Sequence, residues 1–142
     1  METKIVGWDS ALMGKAIELR FEVFVIEQGV PLELEIDEYD EKAVHFVMLE
    51  GDEAVATLRL LPCGNDAKIG RVAVRQGARR RGLGTALLQS GLAHAVSLGF
   101  DAIVLDSQLS SMPFYERLGF AAEGDIFDDA GIPHRRMRLK LG

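Results

Sequence analysis

Ile69-Gly70-Arg71-Val72-Ala73-Val74, followed by Arg75-Gln76-Gly77-Ala78 and then by Arg79-Arg80-Arg81-Gly82-Leu83-Gly84-Thr85, is the stretch on which the fold turns. Its β-favouring start predicts a strand over Lys68 to Val74, and the apolar spacing of Leu88, Leu92 and Val96 predicts a helix from about Arg80 to Leu98, stopped by Gly99. The first N–H groups of a helix lack internal partners and lie at the positive end of its dipole, and glycines there let a ligand approach the backbone. Flanking arginines add permanently charged, two-pronged donors. The combination is an anion site that suits a pyrophosphate. Two familiar phosphate patterns fail on residue identity. A dinucleotide fingerprint needs glycine where Leu87 stands, and a nucleoside-triphosphatase loop needs Lys-Ser/Thr where Thr85-Ala86 stands. The plainer alternative is a surface helix start whose glycines serve only as turns.

Outward from this centre, a short strand is expected over residues 3–8, and Ser10 is placed to cap a helix reaching about Gln28 before Gly29 and Pro31. The acidic segment 33–42 reads as loop or a short helical turn. Ala43–Glu50 and Glu53–Leu61, split by Gly51-Asp52, predict an antiparallel hairpin. After the long helix, Ala102-Ile103-Val104-Leu105 is an unbroken apolar run of the kind found in strands covered on both faces, and strand, helix, strand in that order predicts a parallel pair. Ser111 and Pro113 open a second short helix ending near Leu118-Gly119. Phe120–Phe127 and His134–Leu141 form a last hairpin around Asp128-Asp129-Ala130-Gly131. The fold class is therefore α/β, or α+β, with a mixed sheet of six to seven strands, mostly antiparallel, and flanking helices.

At 142 residues the chain suits one domain spanning 1–142. Hydrophobic residues at 48% and charged residues at 27% argue against disorder and coiled coil. The formal net charge of −6 opposes general binding to nucleic acid or an anionic membrane. With neither a membrane-length apolar run nor a signal-peptide start, a cytoplasmic protein is expected. Charge is segregated: nine acids and one lysine lie between Glu33 and Glu53, and five arginines and no acid between Arg71 and Arg81. The single Cys63 has no partner for an internal disulfide, and Cys63, His94 and His134 fall into no metal spacing, so no metal is expected.

Arg79-Arg80-Arg81-Gly82-Leu83-Gly84 resembles the acyl-coenzyme A motif of the GNAT superfamily of N-acetyltransferases, Gln/Arg-x-x-Gly-x-Gly/Ala at a helix start after a strand. Pro113-Phe114-Tyr115-Glu116-Arg117-Leu118-Gly119-Phe120 resembles its later aromatic-pair helix, and Phe127 to His134 is similar to a subgroup of small bacterial members. The resemblance spans nearly the whole chain. It implies that the central parallel strands splay, that Val72-Ala73-Val74 holds a pantetheine arm through backbone groups of Val72 and Val74, and that Leu105 to Gln108 lies on the arm's other side. It further implies that Arg79, Arg80, Arg81, Gly82, Leu83, Gly84 and Thr85 hold the pyrophosphate, and that Phe114 and Tyr115 lie near the thioester. Tyr115, protonated at neutral pH, would give its proton to the departing thiolate. Alternatively, Phe114 and Tyr115 are a core pair and nothing more.

Arg20-Phe21-Glu22-Val23-Phe24, Glu35-Ile36-Asp37-Glu38-Tyr39-Asp40 and Arg59-Leu60-Leu61-Pro62 are similar to the amino-terminal half of acyl-homoserine-lactone synthases. That second resemblance implies that Arg20, Phe24, Glu35, Asp37, Asp40 and Arg59 build or border an acceptor pocket. The chain is shorter than those synthases and carries Val30-Pro31 where they keep a tryptophan, which argues against lactone synthesis. An alkylamine acceptor carries a proton at neutral pH, so a base is useful, and Glu35, Asp37, Glu38, Asp40 and His45 are the candidates. The expected activity is transfer of an acetyl group from acetyl-CoA to the primary amine of a small molecule by direct attack in a ternary complex. A non-catalytic acyl-CoA sensor and a protein or peptide amine acetyltransferase are the alternatives. An uncovered sheet edge also offers a pairing site for a second copy of the chain.

Overall fold

The apolar runs become strands where alternation and turn residues place them. In the computed structural model, which describes residues 1–142, these are β1 (Glu2–Val6), β2 (Val44–Glu50), β3 (Glu53–Cys63), β4 (Asp66–Val74), β5 (Ala102–Gln108), β6 (Ala121–Asp129) and β7 (Ile132–Lys140). They form one sheet in the order β1-β2-β3-β4-β5-β7-β6, with β1 and β6 at its edges. Every neighbouring pair is antiparallel except β4 and β5. The helices are α1 (Met13–Arg20), α2 (Leu32–Glu35), α3 (Leu83–Ser97) and α4 (Met112–Arg117). No helix is long and apolar enough to cross a membrane.

Several boundaries differ from expectation for physical reasons. The Ser10 hydroxyl accepts from the Leu12 N–H at 3.2 Å in a turn, so α1 starts later, at Met13. Beyond Arg20 the helix widens into π-type turns over Phe21–Glu27, where the Gln28 N–H reaches back five residues to the Val23 carbonyl. α3 starts at Leu83 because Arg80 (φ +65°) and Gly82 (φ +75°) are left-handed. Its buried face is Leu87, Leu88, Gly91 and Ala95; Val96, expected in the stripe, is 58% exposed. Ser111 precedes α4 but makes no side-chain cap. The β6–β7 turn is tighter than expected, with only Ala130 and Gly131 between the strands, both at positive φ.

Each face of the sheet has its own core. Phe46, Leu58, Leu60, Ile69, Ile103 and Met137 pack against α3 and α4, while Val47 and Ala73 pack against α1 through Leu19 and its neighbours. Burying each large side chain contributes roughly 1.5–3 kcal/mol before conformational entropy is subtracted. α3 lies close on the sheet at Gly91, where a Cβ would stand 3.3 Å from Ile69 Cδ1.

One irregularity positions the site. Arg59 pairs with Gly70 and Thr57 with Ala73, so Leu58 alone faces both Arg71 and Val72. That is a β-bulge, and Arg71 within it takes φ +52°, costly for a side chain of this size. The extra residue resets the alternation, so that Ile69, Val72 and Val74 all pack on the α3 side. A bulged strand bends, and β4 leaves β5 after only three pairs, the last being Lys68 with Val104. From Ile69 and Leu105 onward the two strands are apart.

Candidate active site

The parted strands open a cleft of about 680 Å³. Gly70, Arg71 and Val72 form one wall and Leu105 to Gln108 the other. Phe24, Gln28, Leu34 and Asp37 close it from the α1 side, and Ile132 and His134 of the last hairpin close its far end. The π-type turns after α1 carry Phe24 to this wall and lead into Gln28, whose Oε1 accepts from Gln108 Nε2 at 2.8 Å. Tyr115 also lines the cleft, though it is only 8% exposed and packs edge-on against Phe114 and Phe120. Its hydroxyl bonds to no protein group. Burial pushes it up to about 12, so at neutral pH it holds its proton.

Below the cleft, the turn before α3 presents a row of donors. None of the backbone N–H groups from Arg80 to Thr85 donates to another part of the protein; the first that does is Ala86, to the Gly82 carbonyl at 3.1 Å. Two left-handed corners, at Arg80 and Gly82 on either side of Arg81, shape this row. Gly84 sits where a Cβ would meet Phe114 Cζ at 3.4 Å, so the turn fits closely against α4. Arg79 is held by both Glu27 carboxylate oxygens at 2.6 Å and donates from Nε to the Val74 carbonyl at 3.0 Å, and Arg81 pairs with Glu50. These are the features an anionic diphosphate needs, namely unsatisfied amides at a helix start with cations beside them. Val74 lies next to this turn, while Ala73 turns its side chain into the α1 core and can offer a ligand only backbone.

The acidic segment closes over the opposite face of the sheet through a network of ions. Arg20 donates to Glu35 at 2.8 Å and to both Asp40 oxygens at 2.9 and 3.1 Å. Arg59 binds Asp37 at 2.6 Å and Asp40 at 3.0 Å, and Arg71 reaches Asp37 at 3.2 Å and the Glu35 carbonyl at 3.0 Å. Burial would raise the Asp40 carboxyl, but Arg20, the Asp37 N–H and Arg59 outweigh it and bring it down to about 2. Burial likewise opposes ionisation of Asp37, and Arg59 and Arg71 overcome it. Three acids are thus matched by three arginines. The bulge at Arg71 and the acidic segment support each other.

Residues 12–141 match the family model described as an acetyltransferase (GNAT) domain. The chain belongs to the GNAT acetyltransferase family. It is 34% identical over 134 residues to the uncharacterized N-acetyltransferase YjcF of Bacillus subtilis, covering 94% of this chain and 96% of that one. A solved acyl-CoA N-acyltransferase from Pseudomonas aeruginosa superposes with a TM-score of 0.88 at 32% identity, covering 96% and 97% of the two chains. The CoA-dependent acyl-homoserine lactone synthase BjaI, solved with SAM and isopentyl-CoA, shares the fold alone, with a TM-score of 0.83 at 17% identity over 99% of this chain and 84% of that one. The GNAT fold and the acyltransferase class read from the motifs are borne out.

In this GNAT domain the expected site residues separate into two groups. Val72, Gln108 and Tyr115 meet in the cleft, and Phe114 packs between Tyr115 and Gly84. On the acceptor side Phe24, Glu35, Asp37 and Arg59 reach the cleft, whereas Arg20 and Asp40, 1% and 0% exposed, stand behind its wall. Those two therefore hold the wall from behind, without a face on the cleft. Two candidate bases also fall away. His45 is buried, donates from Nε2 to the Asp40 carbonyl at 2.8 Å and has its protonated form disfavoured by that burial; Glu38 is exposed and outside the cleft. His134, set aside in the sequence once it matched no metal spacing, lies in the cleft wall. The signal that could have found it is its place near the start of β7, just past the Ala130-Gly131 turn and in the strand beside β5.

Proposed function

We propose that the protein transfers an acyl group, acetyl in the simplest case, from acetyl-CoA to the primary amine of a small molecule by direct attack in a ternary complex. The observation that carries this reading is the gap between β4 and β5, which has Tyr115 beside it and the free N–H row of Arg80 to Thr85 at its foot. The arm of the coenzyme would take the place of a missing strand against the free edge of β4, and the N–H row with Arg79 and Arg81 would hold its pyrophosphate. The thioester then comes beside Tyr115, whose neutral hydroxyl supplies the proton that the leaving thiolate takes up. BjaI, solved with isopentyl-CoA on the same fold, supports an acyl-CoA as the donor.

Phe24, Val30 and Leu34 give the acceptor end of the cleft apolar surface, with Asp37 the carboxylate at its rim. Holding amine and thioester in one cleft would supply much of the acceleration. CoA release measured with acetyl-CoA against a panel of amines, amino acids, polyamines and lysine peptides tests the reading. Turnover on one small amine supports it. Tight acetyl-CoA binding with turnover on no acceptor would instead identify a sensor, and turnover on peptides alone a protein acetyltransferase.

A further inference from the structure

We infer that His134 is the general base that takes the proton from the acceptor nitrogen. This rests on the amine acyltransferase reading above. The Nδ1 of His134 lies 2.7 Å from the Ile132 carbonyl oxygen. A carbonyl oxygen can only accept, so Nδ1 carries the hydrogen, and in the neutral ring the lone pair is on Nε2. The ring is held a second time by stacking on Phe127, with centroids 6.0 Å apart and planes 27° from parallel. A half-buried imidazole fixed at one nitrogen and lining the cleft has the form of a positioned base.

Strand alternation puts it on the correct side of the reaction. His134 and Arg136 share one face of β7, and Arg136 there binds Asp106 at 2.6 Å, while Met137 points into the opposite core together with Leu105 and Tyr115. The base and the acid therefore approach the gap from opposite faces of the sheet, one on the nucleophile's side and one on the leaving group's. His134 pairs in register with Gln108 of β5 and Phe127 of β6, neither of them charged. Of the charges nearby, Asp106 is taken by Lys68 and Arg136, Asp128 accepts from the Gly131 N–H, and Asp37 on the far wall is held by Arg59 and Arg71. Asp129 lines the same stretch of wall and is in no ion pair.

The protons balance. His134 Nε2 takes one proton from the ammonium; the freed nitrogen pair forms the C–N bond; the C–S bond breaks with its pair on sulfur, which takes the Tyr115 proton. The second proton lost by the nitrogen restores Tyr115, and His134 releases its proton to solvent.

The test compares wild type with His134→Gln on an active alkylamine and on an arylamine of similar shape, which is already unprotonated at neutral pH and needs less help. Expected for the variant are a fall in kcat/KM of about a hundredfold or more with the alkylamine, a much smaller fall with the arylamine, loss of the acid limb of the pH profile, and an acetyl-CoA Kd within about twofold of wild type. The unchanged Kd shows that the variant is folded. A wild-type rate and acid limb in His134→Gln, or equal losses on both amines, would overturn the base while leaving the transferase intact. No turnover by the wild type on any amine would overturn both.

Discussion

Arg20 grips Asp40 with two guanidinium nitrogens, at 2.9 and 3.1 Å, and neither residue reaches water. The Asp40 carboxyl is therefore held at about 2, against about 3.9 for an ordinary aspartate in an unfolded chain. A depressed carboxyl contributes stability that is complete above the unfolded value and lost as pH falls through the folded one. Between about pH 4 and pH 2 the protein is expected to lose about 2 kcal/mol from this group. Urea midpoints across that range should fall more steeply for wild type than for Asp40→Asn; parallel curves would place the acid sensitivity elsewhere.

Removing the cation is harsher than removing the anion. Arg20→Met leaves Glu35 and Asp40 buried with only Arg59 and Arg71 to answer them, a loss of roughly 3–5 kcal/mol. Thermal unfolding measures it, and a change under about 1 kcal/mol would show the network to be dispensable.

Tyr115→Phe keeps the packing on Phe114 and Phe120 and removes only the hydroxyl. Turnover is expected to slow by roughly ten- to a thousandfold, with acetyl-CoA affinity unchanged. Equal steady-state rates with the right acceptor would return this residue to a packing role. Because burial holds the phenol at about 12, any alkaline limb below about pH 10 in the wild type should persist in the variant.

Arg79→Glu sets a carboxylate against Glu27, and Arg81→Glu sets one against Glu50, where arginines now stand. Each is expected to weaken acetyl-CoA binding by at least about tenfold at low salt and by less at high salt, as screened surface charge requires. Calorimetric titration at two ionic strengths reads this directly, and an unaltered Kd would rule out the anchor.

The two glycines of the turn should respond differently. Gly82, at φ +75°, penalises any Cβ through its backbone, and Gly82→Ala is expected to cost about 1 kcal/mol and loosen the coenzyme. At Gly84 an added Cβ meets only ordinary contact with Phe114 at 3.4 Å, so Gly84→Ala is nearly neutral, while Gly84→Val forces Phe114 aside. Melting curves alongside acetyl-CoA affinities separate the two.

Local chemistry was legible in the sequence where it is local in the structure. The Gly51 turn, the order of strands and helices, and the Arg79 to Thr85 motif could all be read because each is set by residues close together along the chain. The bulge left no such mark. Nothing at Arg71 announces φ +52°, since a glycine stands at position 70 and not at 71. The resemblance put Arg20 and Arg59 with the acidic run, but not Arg71, whose ion pairs with Glu35 and Asp37 depend on the bulge and form only once the chain is folded. The imidazole at 134 was passed over for a related reason: its meaning comes from the ring contact with Phe127 across the hairpin and from β5 on its other side.

Since β4 and β5 share only three rungs, the molecule is two half-sheets meeting at a short seam. Each half is well made, and the join between them is not. A ligand lying against the free edge of β4 is expected to lengthen that seam, so that occupancy and stiffness of the join rise together.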